Sequence, residues 1–279
     1  MKKIAVLMTC HNRKTKTLCC IKLLYSQILN DVLLETFLVD DGCTDGSVEA
    51  ISKLFPQVII IKGDGSLFWN RGMCLAWDEA RKRSGHDAVL WLNDDTMLYP
   101  DAVQQLVDMS TSYPNANIVA TIKGTNSEKI TYGGYLKDRI VVPDGTLKTC
   151  DKFNGNCVLI PVSVSNIIGY LDPYYRHSKG DSDYAIRSNL AGIKNIVGPI
   201  VGTCDRNPPE PIWNKGNIIQ RFKKLYSPLG KNPFEIYHIK RKTSFWGAVY
   251  GFVYIHIRVL ATFFIPQKVF NKLRKNRYE

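Results

Sequence analysis

Ala88-Val-Leu-Trp-Leu-Asn-Asp-Asp-Thr-Met97 decides how this chain is read. An apolar run, Ala88 to Leu92, stops at two adjacent carboxylates, Asp94 and Asp95. Such a run bounded by polar residues reads as a buried strand. Pro100 and Asp101 then open a helix, with Val103, Leu106 and Val107 on one face. The acid pair therefore lies in a turn at the carboxyl end of a strand, where open α/β sheets bind ligands. Adjacent carboxylates repel unless a cation lies between them. Mg²⁺ and Mn²⁺ are the matching ions, being hard, oxygen-ligated and often shared with substrate phosphates. The alternative for Asn93-Asp94-Asp95-Thr96 is a helix cap with an acidic first turn.

Working outward, the first half alternates strands with helices. Lys3–Met8, Leu33–Val39 and Val58–Ile61 read as strands, and Thr17–Ser26, Ser47–Leu54 and Gly72–Arg83 as helices. This rhythm predicts an α/β fold, a doubly wound, mostly parallel sheet. Polar clusters follow each strand: Thr9–Arg13, Asp40–Ser47, Gly63–Ser66 and Asn93–Thr96. In such a sheet they share one edge and one crevice. Gly133-Gly134 and Pro143-Asp144-Gly145 punctuate β-like runs and predict hairpins over 120–160. Phe153-Asn-Gly-Asn-Cys-Val-Leu-Ile-Pro161 supplies a further strand. A second acidic loop, Gly180-Asp181-Ser182-Asp183, precedes a helix over Tyr184–Ala191.

With 279 residues and 45% hydrophobic content, the chain can bury a full core and is not disordered. The apolar run Ile4–Met8 is too short for a secretory signal, so a cytoplasmic start is expected. Cys10, Cys19, Cys20, Cys43, Cys74, Cys150, Cys157 and Cys204 form no Cys-x-x-Cys pair, and no spacing suggests zinc. They read as reduced structural cysteines. The net charge of +12 is confined to the end of the chain: 215–279 holds 14 Lys and Arg against Glu235 and Glu279.

Ser244–Ile265 is almost wholly apolar apart from His256 and Arg258. Lys240-Arg241-Lys242 precede it, and Lys268, Lys272, Arg274, Lys275 and Arg277 follow. It is long enough to cross a bilayer. Arg258 lies deep inside it, where a charge costs roughly 3 kcal/mol on insertion scales. Aromatic residues throughout the run, with bases on both flanks, favour a helix or helix pair lying in the interface of an anionic membrane. Spanning the bilayer, and ordinary packing or a partner groove, are the alternatives.

Three acidic loops need one explanation. A metal with a phosphorylated ligand accounts for Asp94 and Asp95, and Asp41 can accept a hydrogen bond from a nucleobase ring N–H. A late carboxylate can act as general base on an acceptor hydroxyl. A hydroxyl activated against a sugar carbon, with a metal-bound diphosphate leaving, is glycosyl transfer.

Val6-Leu-Met-Thr-Cys-His-Asn-Arg13, Val39-Asp-Asp-Gly-Cys-Thr-Asp-Gly-Ser47, Leu92-Asn-Asp-Asp-Thr96 and Gly180-Asp-Ser-Asp-Tyr184 occur in that order. On these motifs, residues 3–215 resemble the family 2 glycosyltransferases, which have the GT-A nucleotide-diphospho-sugar transferase fold. Gly63-Asp-Gly-Ser-Leu-Phe-Trp-Asn-Arg-Gly-Met73 and Phe153-Asn-Gly-Asn-Cys157 are similar to bacterial transferases that build O-antigen, capsule and related surface polysaccharides. The resemblance implies a catalytic domain over 1–215, about 1–115 binding nucleotide and 116–215 binding acceptor. Residues 216–279 form a basic, aromatic, amphipathic helical tail.

The resemblance also implies roles. Thr9 and His11 match nucleoside contacts, with His11 standing where the family usually has Tyr; His11 as a helix cap is the alternative. Asp41 matches the reader of a uracil or thymine ring, while Asp40 bonds turn amides. Asp94 matches the carboxylate near ribose and metal, Asp95 the direct metal ligand, and Asp181 the catalytic base. Asp183 is either a helix cap or a participant. Asp64 is a nucleotide or donor-sugar contact. Arg71, displaced by two positions from the family pattern, reaches a phosphate or faces solvent. Trp69 walls the sugar site or packs in the core, and Arg206 is a candidate diphosphate clamp in the loop Gly202–Asn207.

The expected function is an inverting, Mn²⁺- or Mg²⁺-dependent transfer of one sugar from a UDP- or dTDP-sugar. The acceptor is a lipid-linked oligosaccharide at the cytoplasmic face of a bacterial plasma membrane, and 240–279 rest on anionic lipid. Gln220-Arg221 lacks the Trp that follows in processive synthases, which favours a single addition. A sugar-nucleotide nucleotidyltransferase is disfavoured because Thr9–Lys16 contains no glycine. Nucleic-acid binding through the tail is disfavoured by its long uncharged aromatic run.

Overall fold

Strand β4 (Ala88–Leu92) is buried along its whole length and lies inside a nine-stranded sheet. The structure, a computed structural model, describes residues 1–206 and 216–264. Two units divide the chain, Met1–Asn207 and Pro208–Glu279.

In the first unit, the elements run β1 (Lys2–Cys10), α1 (Lys14–Tyr25), β2 (Val32–Asp40), α2 (Ser47–Leu54), β3 (Ile59–Lys62), α3 (Phe68–Arg81) and β4. Next come β5 (Met97–Leu98), α4 (Ala102–Ser112), β6 (Ala116–Lys123), β7 (Ile130–Tyr132), β8 (Gly134–Leu136), β9 (Arg139–Ile140) and β10 (Lys152–Phe153). β11 (Cys157–Pro161), α5 (Val162–Ile168), α6 (Gly180–Leu190) and β12 (Lys194–Thr203) complete it.

The large sheet has the order β3-β2-β1-β4-β11-β6-β12-β5, with β7 beside β6. β1, β2, β3 and β4 are parallel. β11 is antiparallel to both β4 and β6, and β6 and β12 are parallel to each other. The expected mostly parallel α/β sheet is present, with β11, β5 and β7 running against it. β10, β8 and β9 form a small antiparallel sheet, where the glycines predicted hairpins.

Alternation along β1 shows how the two layers arise. Ile4, Val6, Met8 and Cys10 face one core with residues of α1, α2 and α4. Ala5 and Leu7 face the other, with Met73 and Trp77 of α3, Val164 of α5 and Tyr184 of α6. Because the parallel strands end together, the loops after Cys10, Asp40, Lys62 and Leu92 collect on one edge.

Two sequence expectations are corrected. The residues after Thr96 do not pass straight into a helix, because Met97 and Leu98 first pair with Thr203 and Gly202. Gly180-Asp181-Ser182-Asp183 is not a loop but the first turn of α6. Carboxylates at a helix N-terminus are favoured by the helix dipole, so polar residues begin this helix where the pattern predicted a turn.

In the second unit, α7 (Ile218–Leu225) starts at a capping box made by Asn217 and Gln220. α8 (Pro233–Lys240) starts at Asn232 with proline in its first turn. α9 (Phe245–Phe264) rests Ile255 and Val259 on Leu225, Phe222, Tyr226 and Ile236. His256 binds the Tyr226 hydroxyl through Nε2, at 2.6 Å. The opposite face leaves Tyr250, Val253, Ile257 and Leu260 exposed, with Trp246 at 76% and Phe264 at 87%. By length and composition α9 is one helix able to cross a membrane. The bases from Lys268 to Arg277, the tail beyond 264 and the end of the Gly202–Asn207 loop lie outside the described residues.

Candidate active site

The site is assembled at the carboxyl edge of β1–β4. Asp94 and Asp95 follow β4, and one guanidinium nitrogen, Arg13 Nη1, bridges them at 3.1 Å to Asp94 Oδ1 and 2.8 Å to Asp95 Oδ2. The second oxygen of Asp94 accepts from the Thr17 hydroxyl at 3.2 Å. Asp94 is buried, and that burial pushes its pKa up to about 6, with Arg13 pulling it down and Asp95 pushing it up. Asp95 Oδ1 is buried with no hydrogen-bond partner among the described residues. Two converging carboxylates, one with an unfilled buried oxygen, suit a hard, oxygen-seeking cation.

Asn93 ties this pair to the rest of the site. Its amide donates to the Asn156 carbonyl at 2.8 Å, and its Oδ1 accepts from Trp69 Nε1 at 2.7 Å. The neighbouring Gly155 amide donates to Asp181 Oδ2 at 3.1 Å, and the Ser182 amide to Asp181 Oδ1 at 2.7 Å. Burial raises the Asp181 pKa, with these two amides opposing the rise. The Trp69 ring lies so close to Gly155 that any Cβ there would press on it. Trp69 thus stands between the acid pair and Asp181.

Asp41 is buried, and its oxygens are engaged from the third loop. Oδ1 accepts from Gly65 N at 2.9 Å and Leu67 N at 3.2 Å, and Oδ2 from Phe68 N at 2.9 Å. Three of a carboxylate's four lone pairs are used, leaving one. Asp40 Oδ1 accepts from Cys43 N at 2.7 Å, the turn-stabilising role expected of it. His11 Nδ1 reaches the Asp41 carbonyl at 2.6 Å and joins the first loop to the second. Thr9 packs against Gly72, where a Cβ would clash with its side chain.

The other predicted residues are more peripheral. Asp64 closes a turn onto Ser66, whose hydroxyl and amide hold its pKa down. Arg71 Nε donates to the Pro173 carbonyl at 3.0 Å. Arg206 donates to the Tyr135 hydroxyl at 2.9 Å and covers the Tyr132 ring. Asp183 is fully buried between Tyr175 Oη at 2.9 Å and Arg187 Nε at 2.8 Å, and Arg187 also holds the Ile168 and Tyr170 carbonyls. Its place is structural: it fastens the start of α6.

Sequence reasoning missed several neighbours. Arg13 carried no signal beyond its place in the first loop. His177 meets Phe68 edge-on at 6.1 Å, and its Nδ1 is buried without a partner among the described residues. Burial and nearby Arg13 lower its pKa, which favours the neutral ring. Cys10 and Cys43 bring their sulfurs to 3.6 Å, beside Asp40. Their 33-residue separation hides this softer cluster from any spacing rule.

The glycosyl transferase family 2 profile matches residues 5–161, more than half of the chain. The chain belongs to glycosyl transferase family 2. The comparison with curated proteins found no match. Among solved structures, S. aureus TarS is 13% identical with a TM-score of 0.57, over 90% of this chain and 44% of that one. TarS 1-349 in complex with UDP is 13% identical over 86% of this chain and 70% of that one, TM-score 0.56. The complex with UDP-GlcNAc is 13% identical over 90% and 73%, TM-score 0.56. At this identity the likeness is one of fold, and this chain spans less than half of the first TarS chain. The family membership agrees with the sequence resemblance, and the fold is the expected GT-A arrangement.

Proposed function

We propose that the protein transfers a single sugar, with inversion, from a UDP- or dTDP-sugar to a lipid-linked saccharide in bacterial surface polysaccharide synthesis. The observation that carries this reading is the hydrogen-bonded run from Asn93 through Asn156 and Gly155 to Asp181, which couples the loop of the acid pair to the Asp181 carboxylate. Asp181 takes the proton of an acceptor hydroxyl. The oxygen forms a bond to the anomeric carbon, and the bond to the nucleoside diphosphate breaks on the opposite face with its electron pair leaving on the phosphate oxygen. Asp95, helped by Asp94, would hold Mn²⁺ or Mg²⁺, which supplies charge stabilisation at that leaving diphosphate. Trp69 offers an apolar ring to the sugar. In this reading Thr9, His11 and the remaining lone pair of Asp41 contact the nucleoside, and Asp64 and Arg71 border it.

The TarS structures with UDP and UDP-GlcNAc make uridine donors the first to test. Calorimetric titration with UDP and dTDP is expected to show binding that strengthens at least tenfold with Mn²⁺. No binding of either nucleotide, with Mn²⁺ present, counts against the reading.

The exposed aromatic face of α9, preceded by Lys240, Arg241 and Lys242, supports peripheral attachment to the inner face of the plasma membrane. Anionic vesicles are expected to carry the protein down on centrifugation, and neutral vesicles to do so weakly. Trp246→Ala together with Tyr250→Ala should reduce the bound fraction severalfold. Equal sedimentation with both vesicle types would remove the anionic-surface assignment.

A further inference from the structure

We propose that Arg13 is an exchangeable counter-ion of the acid pair: its guanidinium and a divalent cation compete for Asp94 and Asp95, and the displaced guanidinium pairs with the donor diphosphate. This rests on the nucleotide-sugar reading above.

The geometry is that of a point cation. Arginine usually meets one carboxylate with two parallel N–H bonds. Here a single nitrogen, Nη1, serves two carboxylates, at 3.1 and 2.8 Å, while Nε and Nη2 make no hydrogen bond among the described residues. The side chain is 40% exposed, so it is held at one atom and can swing. The pair is also not satisfied by it, because Asp95 Oδ1 stays buried without a hydrogen-bond donor among the described residues. One positive charge answers two adjacent negative ones.

A dication on these oxygens and a guanidinium at hydrogen-bond distance from them repel each other strongly, since both are cations only a few ångströms apart. The dication, with twice the charge and short bonds to hard oxygens, takes the carboxylates. Arg13 then needs a new anion. The donor diphosphate beside the metal is one: its two negative charges and those of the two carboxylates together exceed what a single dication neutralises. Arg13 is the residue before α1, whose first turn holds Lys14 and Lys16 and no acid, so the surroundings already favour phosphate.

Competition gives opposite signs for the two ligands. Arg13→Gln is expected to bind Mn²⁺ alone at least tenfold more tightly than the parent protein. With Mn²⁺ saturating, it should bind UDP at least tenfold more weakly. Arg13→Lys keeps the charge, so its Mn²⁺ affinity should stay within about threefold of the parent. Free Mn²⁺ is read by electron paramagnetic resonance and UDP by calorimetry. A residue that only holds the loop in shape would weaken both ligands on substitution. Arg13→Gln that binds Mn²⁺ no more tightly, or binds UDP as the parent does, overturns the exchange; so does Arg13→Lys that tightens Mn²⁺ tenfold. If the parent protein itself binds neither Mn²⁺ nor UDP, the nucleotide-sugar reading has failed first, and the two failures are told apart by that control.

Discussion

Asp181→Asn is expected to bind donor within about threefold of the parent protein and to transfer sugar some 10²–10⁴ times more slowly, the usual worth of a general base. The substitution keeps the shape and removes the proton-accepting charge. Asp181 takes one amide on each oxygen, from Ser182 and Gly155. Asparagine has a single acceptor oxygen, so one of those amides loses its partner, at about 1–3 kcal/mol. A modest loss of stability therefore accompanies a large loss of rate, and the melting point must be recorded beside kcat. The pH profile gives an independent check. Burial raises the Asp181 pKa, and a base works only when deprotonated. The parent rate should climb with pH through an acid limb above the ordinary aspartate value of about 3.9, then level off. That limb should be missing from the residual activity of Asp181→Asn. Normal transfer by this variant would transfer the base role elsewhere.

Asp95→Ala has the second large effect. The parent protein is expected to be stabilised by donor only when Mn²⁺ or Mg²⁺ is present. A ligand at a hundredfold its Kd adds about 2.7 kcal/mol, an easily measured shift in Tm. Asp95→Ala should lose this metal-dependent shift while keeping its own fold, because the one ion pair of Asp95 among the described residues is with the half-exposed Arg13, and its Oδ1 has no hydrogen-bond partner among them. Asp94→Ala is the instructive contrast. Asp94 is buried and also tied to Thr17, so its removal should lower the melting point of the unliganded protein as well. A metal-dependent donor shift surviving in Asp95→Ala would make Asp95 the wrong ligand.

The edge of the sheet was legible because strand patterns and their terminating polar clusters are local. Ala88–Leu92 is the strand that its apolar run predicts, and Ser47–Leu54 is a helix over the predicted residues. The parallel order then brings Thr9, Asp41, Asp64 and Asp94 to one side without further information. What was not legible depends on partners far apart in sequence. Arg13 meets Asp94 and Asp95 across more than 80 positions, and Trp69 meets Asn93 and Gly155 through the fold alone. Neither pattern nor propensity carries such pairings. Asp183 shows the same limit from another side: the residue types allowed a cap or a catalyst, and only the Tyr175 and Arg187 contacts place it in a structural network. The Cys10–Cys43 approach also arises from register, since Cys10 pairs with Asp40 across β1 and β2.

The central claim is that the crevice at the carboxyl edge of β1–β4 is a nucleotide-sugar site. A panel of UDP- and dTDP-sugars, incubated with the full chain and Mn²⁺ and assayed for nucleoside diphosphate release, tests it most directly. The expected result is slow release from one donor, abolished by chelation and by Asp95→Ala. Absence of release from every donor, together with absence of any donor-induced thermal shift, would contradict it.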